Sequence, residues 1–185
     1  REVFREKGGA DFTVTEAIAT VRHTGAQLQF HVASVRNGKT GAVCVVQKNG
    51  KDEPPAFLIA RHWRVSTKQW AWEFPRGMEL KDEDTLSTAI RELREETGIQ
   101  VSRNQATILQ HIHADTGVLR DDIAVARILV PDSIGTPQYG DWELTNARWV
   151  AENTLRCMIA SGEITDGITL AAWAIVQSHN LHQHQ

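Results

Sequence analysis

Over residues 12–46 the chain is rich in β-branched and alternating segments, at 12–15, 17–22, 27–32 and 40–46. Turn signals separate them at Thr24-Gly25 and Asn37-Gly38, and a third follows at Asn49-Gly50. A period of two residues with such breaks predicts a β-meander leading into a core strand. Residues 48–55 read as a polar loop ending in proline, 56–61 as a short apolar strand, 66–69 as a polar turn and 70–74 as a return to the sheet. Pro75-Arg76-Gly77 breaks that strand. The period then changes: Leu86, Ala89, Ile90 and Leu93 fall at i, i+3, i+4 and i+7, one apolar stripe of a helix that Asp82 or Asp84 can cap and Gly98 stops. Strands at 106–113 and 123–129, a loop at 131–142, a strand through Arg148 and Val150, and helical patterns at 153–161 and 170–179 complete the chain. No repeat or linker divides this core.

Composition narrows the possibilities. The 185 residues carry 20 Lys+Arg against 23 Asp+Glu, net charge −3, with 41% apolar residues. This is enough chain for one real core and a small extension. The predicted division is an N-terminal β extension at 1–40 and a main domain at 41–185. A near-balanced charge argues against a nucleic-acid partner held by a broad basic face, while leaving room for a local cationic pocket. No apolar run approaches the ~18 residues needed to span a bilayer, and the charged N-terminus lacks a signal sequence, so a cytoplasmic protein with no membrane partner is expected. The chain starts at Arg1, not Met, so a leader could have been removed or left out. Cys44 and Cys157 both sit in apolar runs and are expected to be small buried hydrophobes, not a disulfide.

The chemistry concentrates on the first helix. Opposite its apolar stripe, Glu92, Glu95 and Glu96 stand at i, i+3 and i+4, so three carboxylates share one patch. They repel one another and lie in the last turn, where the helix dipole favours cations. An acidic helix face taken alone is usually just solvated. A cluster set against both effects suits a hard divalent cation, and Mg²⁺ takes one or two carboxylates and completes its shell with water and substrate phosphate.

The flanking residues decide between these readings. From Gly77, five residues precede Glu83, seven more precede Arg91, and Arg91-Glu92-Leu93-Arg94-Glu95-Glu96-Thr97-Gly98-Ile99 follows without a gap. This resembles the Nudix box, G-x5-E-x7-R-E-U-x-E-E-x-G-U with U aliphatic, at every defined position. The resemblance implies an α+β fold, a Nudix-type α/β/α sandwich with a mixed sheet, and hydrolysis of a nucleoside diphosphate linked to another group. It also implies Glu92, Glu95 and Glu96 as metal ligands, the Arg76 carbonyl as a further one, Arg91 as the residue that orients the glutamates, and a structural Glu83. The cofactor implied is Mg²⁺, with Mn²⁺ as an alternative.

Further stretches resemble the ADP-ribose and ADP-sugar pyrophosphatase branch. The strand ending His62-Trp63-Arg64 is similar to one that ends Gln-aromatic-Arg there, which implies that Arg64 grips a substrate phosphate through a forked guanidinium. The segments Trp70-Ala71-Trp72-Glu73-Phe74-Pro75-Arg76-Gly77 and Gly162-Glu163-Ile164-Thr165-Asp166-Gly167 are similar as well. Aligning back from the latter places Glu143 where this branch carries a loop glutamate for metal or proton transfer, with Asp141 beside it as a weaker candidate. Trp63 and Trp142 flank the expected site and are candidates for stacking on substrate, whereas Trp72, Trp149 and Trp173 read as structural. His179, His182 and His184 read as a fraying tail rather than a metal site. The chain departs from the branch in lacking a proline about 16 residues past the box, in His62, and in having Arg76 at a commonly small position.

The expected activity is Mg²⁺-dependent cleavage of ADP-ribose or a related nucleotide sugar to AMP and a sugar phosphate. The alternatives are a Nudix hydrolase of dinucleoside polyphosphates or damaged nucleotides, and a nucleotide-sugar sensor without turnover. In the branch it resembles, the N-terminal meander pairs with a second subunit, which implies a homodimer.

Overall fold

The computed structural model describes residues 1–48, 54–137 and 144–182. In chain order its elements are β1 (Glu2–Arg5), β2 (Phe12–Thr20), β3 (Gln27–Val35), β4 (Gly41–Lys48), β5 (Ala56–Arg64), β6 (Gln69–Glu73), β7 (Arg76–Gly77), α1 (Thr85–Thr97), β8 (Ala106–Ile112), β9 (Leu119–Arg120), β10 (Ile123–Val130), β11 (Leu144–Ala151), α2 (Glu152–Ala160) and α3 (Gly167–His182). Strands and helices together make an α+β protein. They divide into two compact units, Arg1–Thr40 with Ile112–Ile123, and Gly41–His111 with the chain from Ala124 onward.

The first unit is a four-stranded sheet in the order β1-β2-β3-β9. β1 and β3 flank β2 in antiparallel fashion, and β9 joins β3 in parallel. The predicted segments 12–15 and 17–22 are one strand, because Glu16 pairs across to His31 without interrupting the register. Gly25 makes the hairpin turn at φ +71° and donates its N–H to the Val21 carbonyl at 2.8 Å. The segment supplying β9 was expected to be a connection between strands; Ala33↔Leu119 and Ser34↔Arg120 pairing makes it a sheet edge instead.

In the second unit, the described residues form a sheet in the order β11-β5-β4-β10-β8, with β6 paired to β5 and β7 to β4. β4 is buried along Ala42, Val43, Cys44, Val45 and Val46. One core cluster joins Ala42, Cys44 and Val46 to Leu58 and Ala60 of β5, Ala124, Ala126 and Ile128 of β10, and Ala89 and Leu93 of α1. Burying a side chain such as Leu93 contributes about 1.5–3 kcal/mol. On the other face, the Phe57 ring meets Trp173 of α3 edge-on at 4.9 Å. Strand alternation follows: Leu58 and Ala60 face α1, and Phe57 faces α3. His62 and Arg64 therefore continue the α1 face, while Arg61 and Trp63 continue the α3 face.

Asp84, one of the two expected caps, accepts from the Ser87 N–H at 3.1 Å and starts α1. Gly98 ends it at φ +72°, donating to the Arg94 carbonyl at 2.8 Å. Cys44 is buried as expected, but Cys157 is exposed. Leu155 and Met158 are the residues of α2 that turn inward, and a position two residues after Leu155 lies about 200° around the helix from it. Trp173 is buried, whereas Trp72 and Trp149 are half-buried. Among the described residues, no helix is long and apolar enough to cross a membrane.

Candidate active site

The box is a loop, a helix and a stop, and each part fixes one side of the site. β7 pairs with β4 through Ala42↔Gly77 and Val43↔Arg76, and the Cys44 N–H donates to the Pro75 carbonyl at 2.8 Å. Gly41, at φ +107°, lets β4 approach this segment so closely that a Cβ there would stand 1.9 Å from the Gly77 carbonyl oxygen. A Cβ on Gly77 would in turn stand 1.9 Å from Cδ of Glu92. Glycine at 77 leaves the Glu92 carboxylate the space that a side chain would take.

Arg91 organises the acids. Its guanidinium donates to both Glu83 oxygens, from Nε at 3.0 Å and from Nη2 at 2.9 Å, and Nη2 also donates to the Met78 carbonyl at 2.8 Å. Nη1 reaches Glu92 at 2.7 Å and Glu95 at 2.9 Å. Glu83 accepts further bonds from the Thr88 hydroxyl at 2.8 Å and the Leu80 N–H at 3.2 Å. The Arg91 hydrogen bonds lead in holding the Glu83 carboxyl down at about 2, and these carboxylates hold the Arg91 pKa above its ordinary value. Glu92 moves the other way. Burial pushes its pKa up, and the charges of Glu95 and Glu83 add to that push against the pull of Arg91. Glu96 accepts from the Arg76 N–H at 3.2 Å. Burial and then the charges of Glu96 and Glu92 drive the Cys44 thiol well above its usual value, making Cys44 the neutral floor of this region.

The donor set fits a divalent cation. Carboxylate oxygens are the hard ligands such an ion takes, and Glu92 is an acid whose pKa is raised first by burial and then by the charges of Glu95 and Glu83. The fit requires side-chain movement: among the described residues, no three acidic, imidazole or thiol side chains are already gathered as a metal-binding group. Arg91 and the Arg76 N–H hold the carboxylates in separate hydrogen bonds.

Beside the box lies a charged cluster that the sequence reading saw only in part. Arg64 donates from Nε to Glu73 at 2.8 Å and pairs its Nη2 with the other Glu73 oxygen. Arg76 donates from Nε to that same second oxygen at 2.9 Å and reaches Asp166 at 3.3 Å. Asp166 also accepts from the Thr169 N–H at 2.8 Å at the start of α3. Burial alone would raise the Glu73 carboxyl, but the Arg64 hydrogen bond and both guanidinium charges outweigh it and hold it below its ordinary value. Burial lowers His62 to about 4, against the opposing pull of Glu73, and its Nε2 is buried without a hydrogen-bond partner. Glu73 is an acid in a strand of alternating indoles, which is the signal that could have pointed to it; Asp166 stands just before an apolar helical pattern, the signal that could have pointed to it as a cap. Arg76 was read for its carbonyl, and its side chain only as a departure at a commonly small position.

The structure thus brings Glu83, Arg91, Glu92 and Glu95 into one network, and Glu96 against the Arg76 backbone. Arg64 joins through Glu73 and Arg76. Trp63 is on the α3 face of β5, in edge contact with Trp70 at 5.7 Å, and is not brought to the glutamates. Glu143, Asp141 and Trp142 lie outside the described residues, as do His184 and the side chain of His182.

This arrangement of loop, glutamate helix and arginine matches a family of known proteins. Residues 38–171 match the NUDIX domain, and the chain belongs to the Nudix family. A curated relative, mRNA-decapping enzyme subunit 2 of Arabidopsis thaliana, is 46% identical over 46 residues, 25% of this chain and 11% of that protein. The chain therefore spans about a tenth of the length of this relative. A crystal structure of an ADP compounds hydrolase superposes with a TM-score of 0.71 over 99% of this chain and 95% of that one, at 15% identity. The T. brucei MERS1 protein in its apo form superposes with a TM-score of 0.55 at 16% identity, covering 64% of this chain and 60% of that one. At such identities the structural likenesses establish the shared fold.

Proposed function

We propose that the protein is a Mg²⁺-dependent pyrophosphohydrolase that cleaves ADP-ribose or a related nucleoside diphosphate sugar into AMP and a sugar phosphate, with Mn²⁺ as an alternative ion. The observation that carries this reading is the Glu92 carboxylate, desolvated against Gly77 and next to Glu96 and Glu95 on one turn of α1. Glu92, Glu95, Glu96 and the Arg76 carbonyl would hold the metal, which when bound screens the diphosphate and lowers the pKa of water. Arg91 positions the glutamates. Arg64 exchanges part of its bond with Glu73 for a substrate phosphate, a fork that suits two phosphate oxygens. A glutamate not engaged by metal, with Glu143 as the first candidate, takes the proton of the attacking water; the water oxygen bonds to one phosphorus as the bridging oxygen departs with the other. Trp142 and Trp63 complete the proposed substrate contacts, Trp63 only at the far side of β5. The structural likeness to an ADP compounds hydrolase supports ADP-linked substrates.

The local identity with a decapping enzyme favours a second reading, in which the diphosphate belongs to the 5′ end of an RNA. A panel of ADP-ribose, ADP-sugars, dinucleoside polyphosphates, oxidised nucleotides and a capped RNA, each with Mg²⁺, separates the two by the largest kcat/KM. Largest turnover on ADP-ribose or an ADP-sugar is expected; a panel with binding but no product would overturn the hydrolase reading in favour of a sensor.

A homodimer belongs to the same proposal. Within the first unit's sheet, Phe4, Ile18, Leu28 and Phe30 are about half exposed, and a second copy would cover such apolar strands. Light scattering on the eluting protein should give twice the chain mass; a monomer would contradict it.

A further inference from the structure

Besides Trp63, the α3 face around β5 carries Arg61, Trp72 and Arg148, residues that the proposed hydrolysis does not use. Arg61 pairs with Trp72 and Trp63 with Trp70 across the β5–β6 ladder. Thr145 pairs with Arg61 and Arg148 with Ile59 across β5–β11, so Arg148 shares this face. The Arg61 guanidinium lies 6.0 Å from the Trp70 ring centre and 5.8 Å from that of Trp72, and the Arg148 guanidinium lies 4.2 Å from Trp72. Two cations are thus threaded among indoles. A cavity of about 340 Å³ opens here, lined by Arg61, Trp72, Asn146, Ala147 and Arg148. That volume is at the low end of the ~300–1,000 Å³ range of small-molecule sites.

Among the described residues, no carboxylate lines this cavity. Arg148 has a distant pair with Glu163 at 3.9 Å and a contact with the Met158 sulfur at 3.7 Å. Among the described residues no acceptor takes a hydrogen bond from Arg61, and its Nε is buried without a partner. A buried guanidinium donor left unpaired costs about 1–3 kcal/mol, and two neighbouring cations add repulsion. Cation–π contact offsets part of this. An anion with acceptor oxygens would remove the remainder. The same pocket offers an indole and planar guanidiniums for stacking, and the Asn146 amide can both donate and accept at the edge of a ring. A flat heterocycle with polar edges joined to an anionic group meets all three demands. Simple phosphate meets one.

We propose that the Arg61–Trp72–Arg148 cavity is a nucleotide-binding site, separate from the glutamates, in which a base stacks on the indole–guanidinium array and a phosphate pairs with Arg61 and Arg148. Stacking of a base on an aromatic side chain is worth about 1–3 kcal/mol, and guanidinium–phosphate pairing adds direction. The Trp63–Trp70 pair lies next along the ribbon and provides a second stacking surface for an adjoining nucleotide. The ligand is a free mononucleotide or one residue of a single strand, and the experiment distinguishes them.

Calorimetric titration of the full chain with AMP and, separately, with a pentaadenylate RNA tests this in EDTA, which removes the metal and stops turnover. At least one probe is expected to bind with one-to-one stoichiometry. Arg61→Gln and Arg148→Gln, which retain most of each side chain, should each weaken binding at least about tenfold while kcat/KM for hydrolysis with Mg²⁺ stays within about twofold. Arg64→Gln, on the opposite face, should leave this binding unchanged. Tighter, salt-sensitive binding of the RNA would identify a strand, and equal affinities a free nucleotide. Failure of both probes to bind, or binding that Arg64→Gln abolishes and Arg61→Gln and Arg148→Gln spare, would overturn the proposal. Because the hydrolase reading is tested by turnover, it stands or falls separately.

Discussion

Replacing Glu83 with glutamine probes the network that holds the box together, and the structure sets the size and pH dependence of the effect. The Glu83 carboxyl, an acid of ordinary pKa 4.5, is held at about 2 by Arg91, Thr88 and the Leu80 N–H. A depressed folded pKa stabilises the protein above the unfolded value and loses that contribution as pH falls through the folded one. At 1.36 kcal/mol per pH unit, the shift amounts to roughly 3 kcal/mol at pH 7, roughly 1.5 kcal/mol at pH 3, and nothing below both values. Its side chain is 15% exposed, so solvent screening removes only part of this. Glutamine keeps the shape and one acceptor oxygen but not the charge, leaving Arg91 to share Glu92 and Glu95. Urea unfolding of both proteins at pH 7 and pH 3 gives the difference in stability, in which the titration of unaltered groups cancels to first order. A loss at pH 7 about twice that at pH 3 is expected. A difference that is the same at both pH values, or below about 0.5 kcal/mol at pH 7, would refute the reasoning.

Three other outcomes follow from the geometry. Glu96→Gln should lower kcat at least about 10²-fold with little change in unfolding midpoint, because a neutral amide is a poor ligand for Mg²⁺; steady-state kinetics alongside thermal melting check it. Gly77→Ala forces aside the end of the Glu92 side chain, not backbone, since a Cβ would stand 1.9 Å from Glu92 Cδ. It should therefore cost less than about 1 kcal/mol of stability and at least tenfold in kcat, and full activity in the Gly77→Ala variant would contradict the placement of Glu92. Thiol titration of the native protein at pH 8 should find one fast-reacting cysteine, the exposed Cys157, and a second only after unfolding, because Cys44 is buried and its pKa is well above normal.

Local chemistry made much of this legible. The stripe of Leu86, Ala89, Ile90 and Leu93, the Asp84 cap and the Gly98 stop are consequences of residues within one or two turns, and they define α1 almost to the residue. Spacing alone grouped Glu92, Glu95 and Glu96. The binding partners of those groups were less accessible. The Glu73–Arg64–Arg76–Asp166 cluster joins three strands and a helix start, with Arg76 and Asp166 ninety residues apart, and its members are ordinary charges until the sheet brings them together. Trp63 illustrates a different limit: its neighbour Arg64 is on the box side, and a period of two turns adjacent residues to opposite faces. Cys157 was assigned to the core from its apolar neighbours, whereas the helix period places it on the outside.

The proposed hydrolysis requires the glutamates of α1 to take up a divalent cation together with a diphosphate. Electron paramagnetic resonance of free Mn²⁺ measures this directly when the wild-type protein and a Glu92→Gln/Glu96→Gln variant are titrated with and without a non-hydrolysable methylene analogue of ADP-ribose. Wild-type protein should bind Mn²⁺ at least about tenfold more tightly when the analogue is present, and the variant should lose both the binding and the enhancement. Equal Mn²⁺ uptake by the two proteins, indifferent to the analogue, would contradict it.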